Sequence, residues 1–418
     1  MTGSVAQLLV IRVLADVCIV CAGKLFIYYA IINLGAVFIT GGADIRALRA
    51  AALEKVLADR ISRQALRGLM ISLFHGPLIN ILLILMSPYF QITTISAIAL
   101  GFTAWELGII RIITGILKGW GKAHAAIIVE FVLPPVFLLL FLIYFRNYNH
   151  LEYEKFLASA LLSGYTIASL MSSLVLFRYS RSSLINITVS PRRLMASKAG
   201  PISGVNSYLK LFQSYVDSVK RGSLYFITQF NTYLWASVPY LFMPMLNFRA
   251  EDNVAFGVAH RIIGLVSTIG QAVGIHFSRS FVLADSGTDG NVNKIMRFFS
   301  QALPLLVVAV GYDFWVCSGL GICSREIVQK SVIVFVFLAI TRLVYALMDF
   351  PDLRSVLQGK PLIEVMSTLI ALFALVVSLV ILHLGLKSPG YISISASLGF
   401  ALVLRSILIQ FFETYLVK

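Results

Sequence analysis

The stretch AHAAIIVEFVLPPVFLLLFLIYF, residues 123–145, has Glu130 as its one acid and no Lys or Arg. A helix needs roughly 20 mostly apolar residues to cross the hydrocarbon of a bilayer. Here the apolar residues run on without alternating, so the stretch does not read as a barrel strand. Lipid offers no partner to backbone N–H and C=O groups, so such a run must satisfy them internally, as a helix. Comparable runs recur along the chain. Hydropathy places twelve spans, at about 4–22, 25–43, 67–87, 94–117, 123–145, 154–177, 223–246, 254–278, 295–317, 329–350, 361–386 and 389–416. The first is treated as a retained helix, because no small-residue cleavage site follows it. With 59% hydrophobic and 13% charged residues, the chain is far from the roughly 25% charged content of soluble domains. The expected fold is all-α and membrane-embedded.

Lys and Arg set the orientation. With the N-terminus in the cytoplasm, 22 of the 34 basic residues fall in cytoplasmic segments and 7 in the opposite ones. Both termini are then cytoplasmic. The same distribution accounts for the net charge of +15 without a nucleic-acid partner. The longest connection, 178–222, is basic and Ser-rich, and residues 208–216 within it could lie as an amphipathic helix on anionic lipid headgroups. It divides the chain into an N-terminal six-helix lobe (1–177), the linker (178–222) and a C-terminal six-helix lobe (223–418).

The halves echo each other. At an offset of 230, Phe26 pairs with Phe256, Ile32 with Ile262, Arg49 with Arg279, Asp59 with Asp289 and Arg67 with Arg297, while Arg46 meets His276. Gly121-Lys122 and Gly359-Lys360 open the fifth and eleventh spans. Such parallel repeats place a substrate cleft between two bundles. Ionisable residues inside spans are costly in lipid and belong to that cleft or to each other. The substrate candidates are Arg12, Arg46, Arg49, Arg111, His276, Arg279 and Arg342. The ion-coupling candidates are Asp16, Glu106 and Glu130. Arginine grips phosphate with a planar fork, so this set suits an anionic cargo. Alternatives stand beside it. Arg12 and Asp16 are placed to neutralise each other, Arg111 has Glu106 nearby, and Glu130 serves as a proton site or a structural partner. His260 and Arg261 are expected to snorkel outward, and Asp349 and Arg405 to sit at the inner interface. Cys18 and Cys21 read as buried thiols. Cys317 and Cys323 either form a disulfide or end two helices. No metal site, cofactor motif or soluble-enzyme signature is present, and the chain is not expected to be an enzyme.

Two stretches resemble the polysaccharide flippases of the multidrug/oligosaccharidyl-lipid/polysaccharide exporter superfamily. Gly42-Ala43-Asp44-Ile45-Arg46-Ala47-Leu48-Arg49-Ala50-Ala51-Ala52 is similar to the end of their second helix, and Ala255-Phe256-Gly257-Val258-Ala259-His260-Arg261-Ile262-Ile263 to the entry of their eighth. The resemblance implies two bundles with a V-shaped central cavity and a lipid-linked oligosaccharide as cargo. That cargo, a polyprenyl-pyrophosphate, would serve O-antigen lipopolysaccharide, capsule or exopolysaccharide. It further implies a bacterial inner membrane and, as partners, membrane lipids and the polysaccharide polymerase and chain-length machinery. One departure is that no proline follows Lys220-Arg221-Gly222. A cation-coupled drug antiporter of the same superfamily, a peptidoglycan-precursor flippase and a membrane polysaccharide polymerase are the alternatives.

Overall fold

A computed structural model describes residues 2–53, 58–144, 153–184, 226–227, 229–231, 233–283, 290–319, 322, 324–348 and 361–415. Among these there is no strand. Helices α1 (Thr2–Val17) and α2 (Ile19–Thr40) are nearly continuous: Cys18 N donates to Leu14 O, and Ala22 N to Cys18 O. Next come α3 (Ala43–Leu53), α4 (Ala58–Met86), α5 (Thr94–Gly119) and α6 (Ala123–Ile127). A π-helical turn (Ile128–Val132) leads into α7 (Leu133–Tyr144), followed by α8 (Tyr153–Leu184). After the linker come α9 (233–245), α10 (Ala250–Leu283), α11 (Gly290–Val310) and α12 (Tyr312–Phe314), which ends in a π turn, Trp315–Gly319. The chain closes with α13 (Arg325–Leu347), α14 (Pro361–Val380) with its π turn Ile381–Gly385, and α15 (Gly390–Tyr415).

Seven of the described helices are long and apolar enough to cross a membrane. An eighth span arises if Phe298–Val310 and Tyr312–Ser318, bent by 67°, count as one. The expected span at 67–87 is the apolar end of α4, in which Ile71–Met86 forms a shorter apolar helix. The span expected to end at 177 runs on to Leu184. Most of the linker, from 185 to 225, lies outside the described residues, as does the amphipathic stretch 208–216.

The helix starts preserve the repeat. Ala58 and Gly290, and Thr94 and Arg325, keep a separation close to 230. Ala123 and Pro361 then keep the wider one of Gly121 and Gly359. Both 123–144 and 361–385 contain a π turn.

The chain divides into two compact units, one of Tyr28–Ser237 and one of Gly3–Ile27 with Val238–Lys418. In the first, α5 is the central helix, packed against α3, α4 and α8. Its approach to α3 is close because Gly115 has no Cβ: one built there would collide with the main-chain oxygen of Asp44. Small residues let membrane helices come this near, where packing rather than the hydrophobic effect drives association. Between α2 and α3 the helix breaks at Gly41 and Gly42, with φ of +51° and +76°, a region glycine enters without steric cost.

In the second unit α10 packs on α11 and α13, and α13 and α14 pack on α15. Gly257, in the stretch that resembles the flippases, leaves room for the Phe26 ring. That ring also stacks on Tyr240. Cys18 and Cys21 are joined as a disulfide, which corrects the reading of two buried thiols. Cys317 is also disulfide-bonded, while Cys323 lies outside the described residues.

Candidate functional site

In the unit of residues 28–237, three polar side chains of α5 fall on one stripe: Arg111, Thr114 and Lys118, three and four residues apart. Residues at this spacing share a helix face. The π turn Ile128–Val132 presents Glu130 to them. Its cause is legible in the chain. Pro134 and Pro135 have no N–H to continue the ladder, and Leu133 N reaches back to Ile128 O instead. Such turns often occur at functional sites.

Glu130 is buried. Its Oε2 accepts from Lys118 Nζ at 2.6 Å and from Thr114 Oγ1 at 3.0 Å. Arg111 is only 5% exposed, and its Nε stands 4.0 Å from Glu130 Oε1. Its fork is held from the other side. Nη2 donates to Asn33 Oδ1 at 2.7 Å and Nη1 to Asn33 O at 3.3 Å. Asn33 is fixed in turn by a bond from Nδ2 to Tyr29 O. The Tyr233 ring lies 4.3 Å from the guanidinium carbon, a cation–π contact that gains strength where water is excluded. Two cations therefore share one carboxylate, and Arg111 Nε has no hydrogen-bond partner among the described residues.

The residues around Tyr233 close the same region. Phe226 and Phe230 stack on each other and pack on Phe38 at 5.5 and 4.9 Å. Gln229 Nε2 donates to Asp44 Oδ2 at 2.6 Å.

The second unit holds three further polar clusters. Arg405 is buried, donating from Nη2 to Glu364 Oε1 at 3.0 Å and from Nε to Thr368 Oγ1 at 2.8 Å. It is a helix-to-helix tie between α14 and α15, not the interfacial residue expected. His260 Nδ1 and the Tyr240 hydroxyl are 2.7 Å apart, and Arg261 Nη1 donates to Gln7 Oε1 at 3.1 Å. This corrects the outward snorkelling expected of His260 and Arg261, since interior partners satisfy both. Lys330 bridges Asp252 at 2.9 Å and Glu326 at 2.7 Å.

The remaining sequence candidates distribute as follows. Arg12 is exposed and donates to Ser318 O at 3.4 Å. Arg46 and Glu106 are half-buried on α3 and α5. Arg342 is half-buried on α13, 5.7 Å from the Tyr345 ring. The side chains of Asp16, Arg49, His276 and Arg279 lie outside the described set, as does Asp349. No group of three or more His, Cys, Asp or Glu side chains suited to a metal occurs among the described residues.

Sequence reasoning missed Asn33, Thr114, Tyr233, Asp44 and Gln229 as members of the cluster, and assigned Lys118 to a loop. The Arg-x-x-Thr-x-x-x-Lys spacing on α5 was the available signal. Asn33, Tyr233 and Gln229 carry none, because only the fold brings them there.

No family model matches the chain, and no curated protein matches it. Solved structures do. The chain is similar to a multidrug resistance MATE family transporter of the MOP superfamily in an inward-facing conformation. That match has a TM-score of 0.66 at 13% identity, over 99% of this chain and 96% of that one. The chain shares the fold of that transporter. The lipid II flippase MurJ, inward closed, gives a TM-score of 0.60 at 12% identity over 99% of this chain and 86% of that one. A MATE protein in a bent conformation gives 0.55 at 17% over 100% and 94%. With its apolar helices, this fold makes the chain a multi-pass membrane protein.

Proposed function

We propose that the chain is a membrane transporter that flips or exports polyprenyl-pyrophosphate-linked oligosaccharide by alternating access. The fold by itself leaves the cargo open, since a drug transporter and a lipid II flippase share it. The observation that carries the reading is charge. Arg111 and Lys118 face one carboxylate, Glu130, in the interior of the unit. A net positive centre calls for an anion, and Arg111 Nε has no hydrogen-bond partner among the described residues. A pyrophosphate would supply the missing acceptor. The candidates Arg46, Arg49, Arg279 and Arg342 extend the same chemistry. No nucleotide motif is present in the sequence, and the proposed cycle draws on an ion gradient, the membrane potential or the substrate gradient.

A second reading, a cation-coupled drug antiporter, is favoured by Asp44, a buried carboxylate that accepts from the Gln229 amide. An accumulation assay separates the two. A strain lacking the chain should accumulate lipid-linked repeat units on the cytoplasmic leaflet, and the wild-type chain should clear them. Arg111→Gln at equal protein level should not. A lysine substitution is less informative, because Asn33 already occupies both terminal nitrogens of the Arg111 fork. Normal lipid-linked pools in the deletion strain, together with sensitivity to cationic drugs, would favour the antiporter.

A further inference from the structure

Arg111 is held in place by neutral groups. Among the described residues both of its hydrogen bonds go to Asn33: Nη2 donates to the side-chain Oδ1 at 2.7 Å and Nη1 to the main-chain oxygen at 3.3 Å. The orientation of the amide follows from its other bond. Asn33 Nδ2 donates at 2.8 Å to Tyr29 O, one turn back on α2. A carbonyl only accepts, so Oδ1 is the atom left for the guanidinium. The Tyr233 ring lies over the guanidinium at 4.3 Å, again without a charge. Glu130 stands 4.0 Å from Arg111 Nε and accepts its short bond, at 2.6 Å, from Lys118.

Holding a buried arginine and cancelling its charge are different tasks. A carboxylate does both, through a stronger, charge-assisted bond. An amide of the same shape does only the first. Because position 33 is an asparagine, Arg111 and Lys118 face the single carboxylate of Glu130, and one positive charge is left over. Asn33→Asp would bring that sum to zero. We propose that Asn33 is the specificity-determining residue of this site: it positions Arg111 through neutral bonds, leaves the site its positive charge, and so selects an anion over a cation. The role deepens the transporter reading and rests on its anion site at Arg111.

A purely structural tie between α2 and α5 has the same contacts but different consequences. The tie is lost in Asn33→Ala and kept in Asn33→Asp. The positive charge is kept in Asn33→Ala and lost in Asn33→Asp. The order of the two variants therefore separates the roles.

The test is binding of labelled inorganic pyrophosphate to the purified full chain in detergent, with the thermal midpoint of each variant measured alongside. The wild type should bind. Asn33→Asp should bind at least about tenfold more weakly, because a full charge this close to a partly buried site outweighs the energy of a tenfold change. Its midpoint should stay near that of the wild type. Asn33→Ala should lower the midpoint yet weaken binding less than Asn33→Asp does. The double variant Asn33→Asp/Glu130→Gln restores the balance of charge and should recover most of the binding. Equal binding by wild type and Asn33→Asp would overturn the role of Asn33 and leave the transporter reading in place. So would weaker binding by Asn33→Ala than by Asn33→Asp, or a double variant as weak as Asn33→Asp. No binding by the wild type would remove the anion site and this role together.

Discussion

Glu130 is the residue on which the buried cluster turns. It neutralises charge for Lys118 and, more distantly, for Arg111. Lys118 is 32% exposed and can reach solvent, whereas Arg111 cannot. Removing the acid therefore strands a buried guanidinium, a loss on the order of 3 kcal/mol. Glu130→Gln should lower the thermal midpoint in detergent clearly. Adding Lys118→Met should recover little, because Lys118 is not the stranded charge. Equal recovery by the double variant would show that Lys118 carries the strain instead. Gly115 offers a separate residue-scale test. Gly115→Ala forces a methyl against backbone that cannot swing away, and overpacking of this kind costs about 1–3 kcal/mol. At Gly264 an added Cβ meets nothing within 4 Å, so Gly264→Ala should leave the midpoint unchanged or slightly raised. Thermal unfolding of the two alanine variants side by side measures the contrast.

At the scale of elements, α14 and α15 are tied through Arg405, Glu364 and Thr368. Both charges are buried, so removing the acid takes a counter-charge from a guanidinium inside the bundle. Glu364→Ala should destabilise the unit of 3–27 and 238–418 more than the half-exposed pair Lys330–Glu326 does when Glu326→Ala is made. Proteolysis or hydrogen exchange of 361–415 reads the difference. The elements also show what the sequence made legible. Helical spans at 94–117, 123–145 and 389–416 came from unbroken apolar runs, because lipid leaves a backbone no other option. The break at Gly41–Gly42 was not foreseen, since the expected span ran from 25 to 43 through both glycines. The π turn at 128–132 was not foreseen. Pairings such as Arg111 with Asn33 and Asp44 with Gln229 were not legible at all. Their separations along the chain carry no periodic signal, and a lone Asn or Gln in an apolar run says nothing of its partner.

For the whole molecule, the proposed topology rests on the distribution of basic residues and places 178–222 in the cytoplasm. A cysteine at Ser197 should resist an impermeant thiol reagent on intact cells and react after permeabilisation, provided the native cysteines are removed. Labelling of intact cells would reverse the orientation and with it the side from which cargo enters. The proposed cargo is a lipid-linked pyrophosphate and not a drug cation. The most direct measurement reconstitutes the purified chain in proteoliposomes with a labelled polyprenyl-pyrophosphate oligosaccharide. A membrane-impermeant glycosidase then reports which leaflet holds the sugar. Protein-dependent movement of the sugar across the bilayer is expected, retained in Gly264→Ala and reduced at least about tenfold in Arg111→Gln, the loss expected when a charge-assisted bond to phosphate is removed. No movement of the sugar, with cation-driven movement of a cationic dye in the same vesicles, would contradict it.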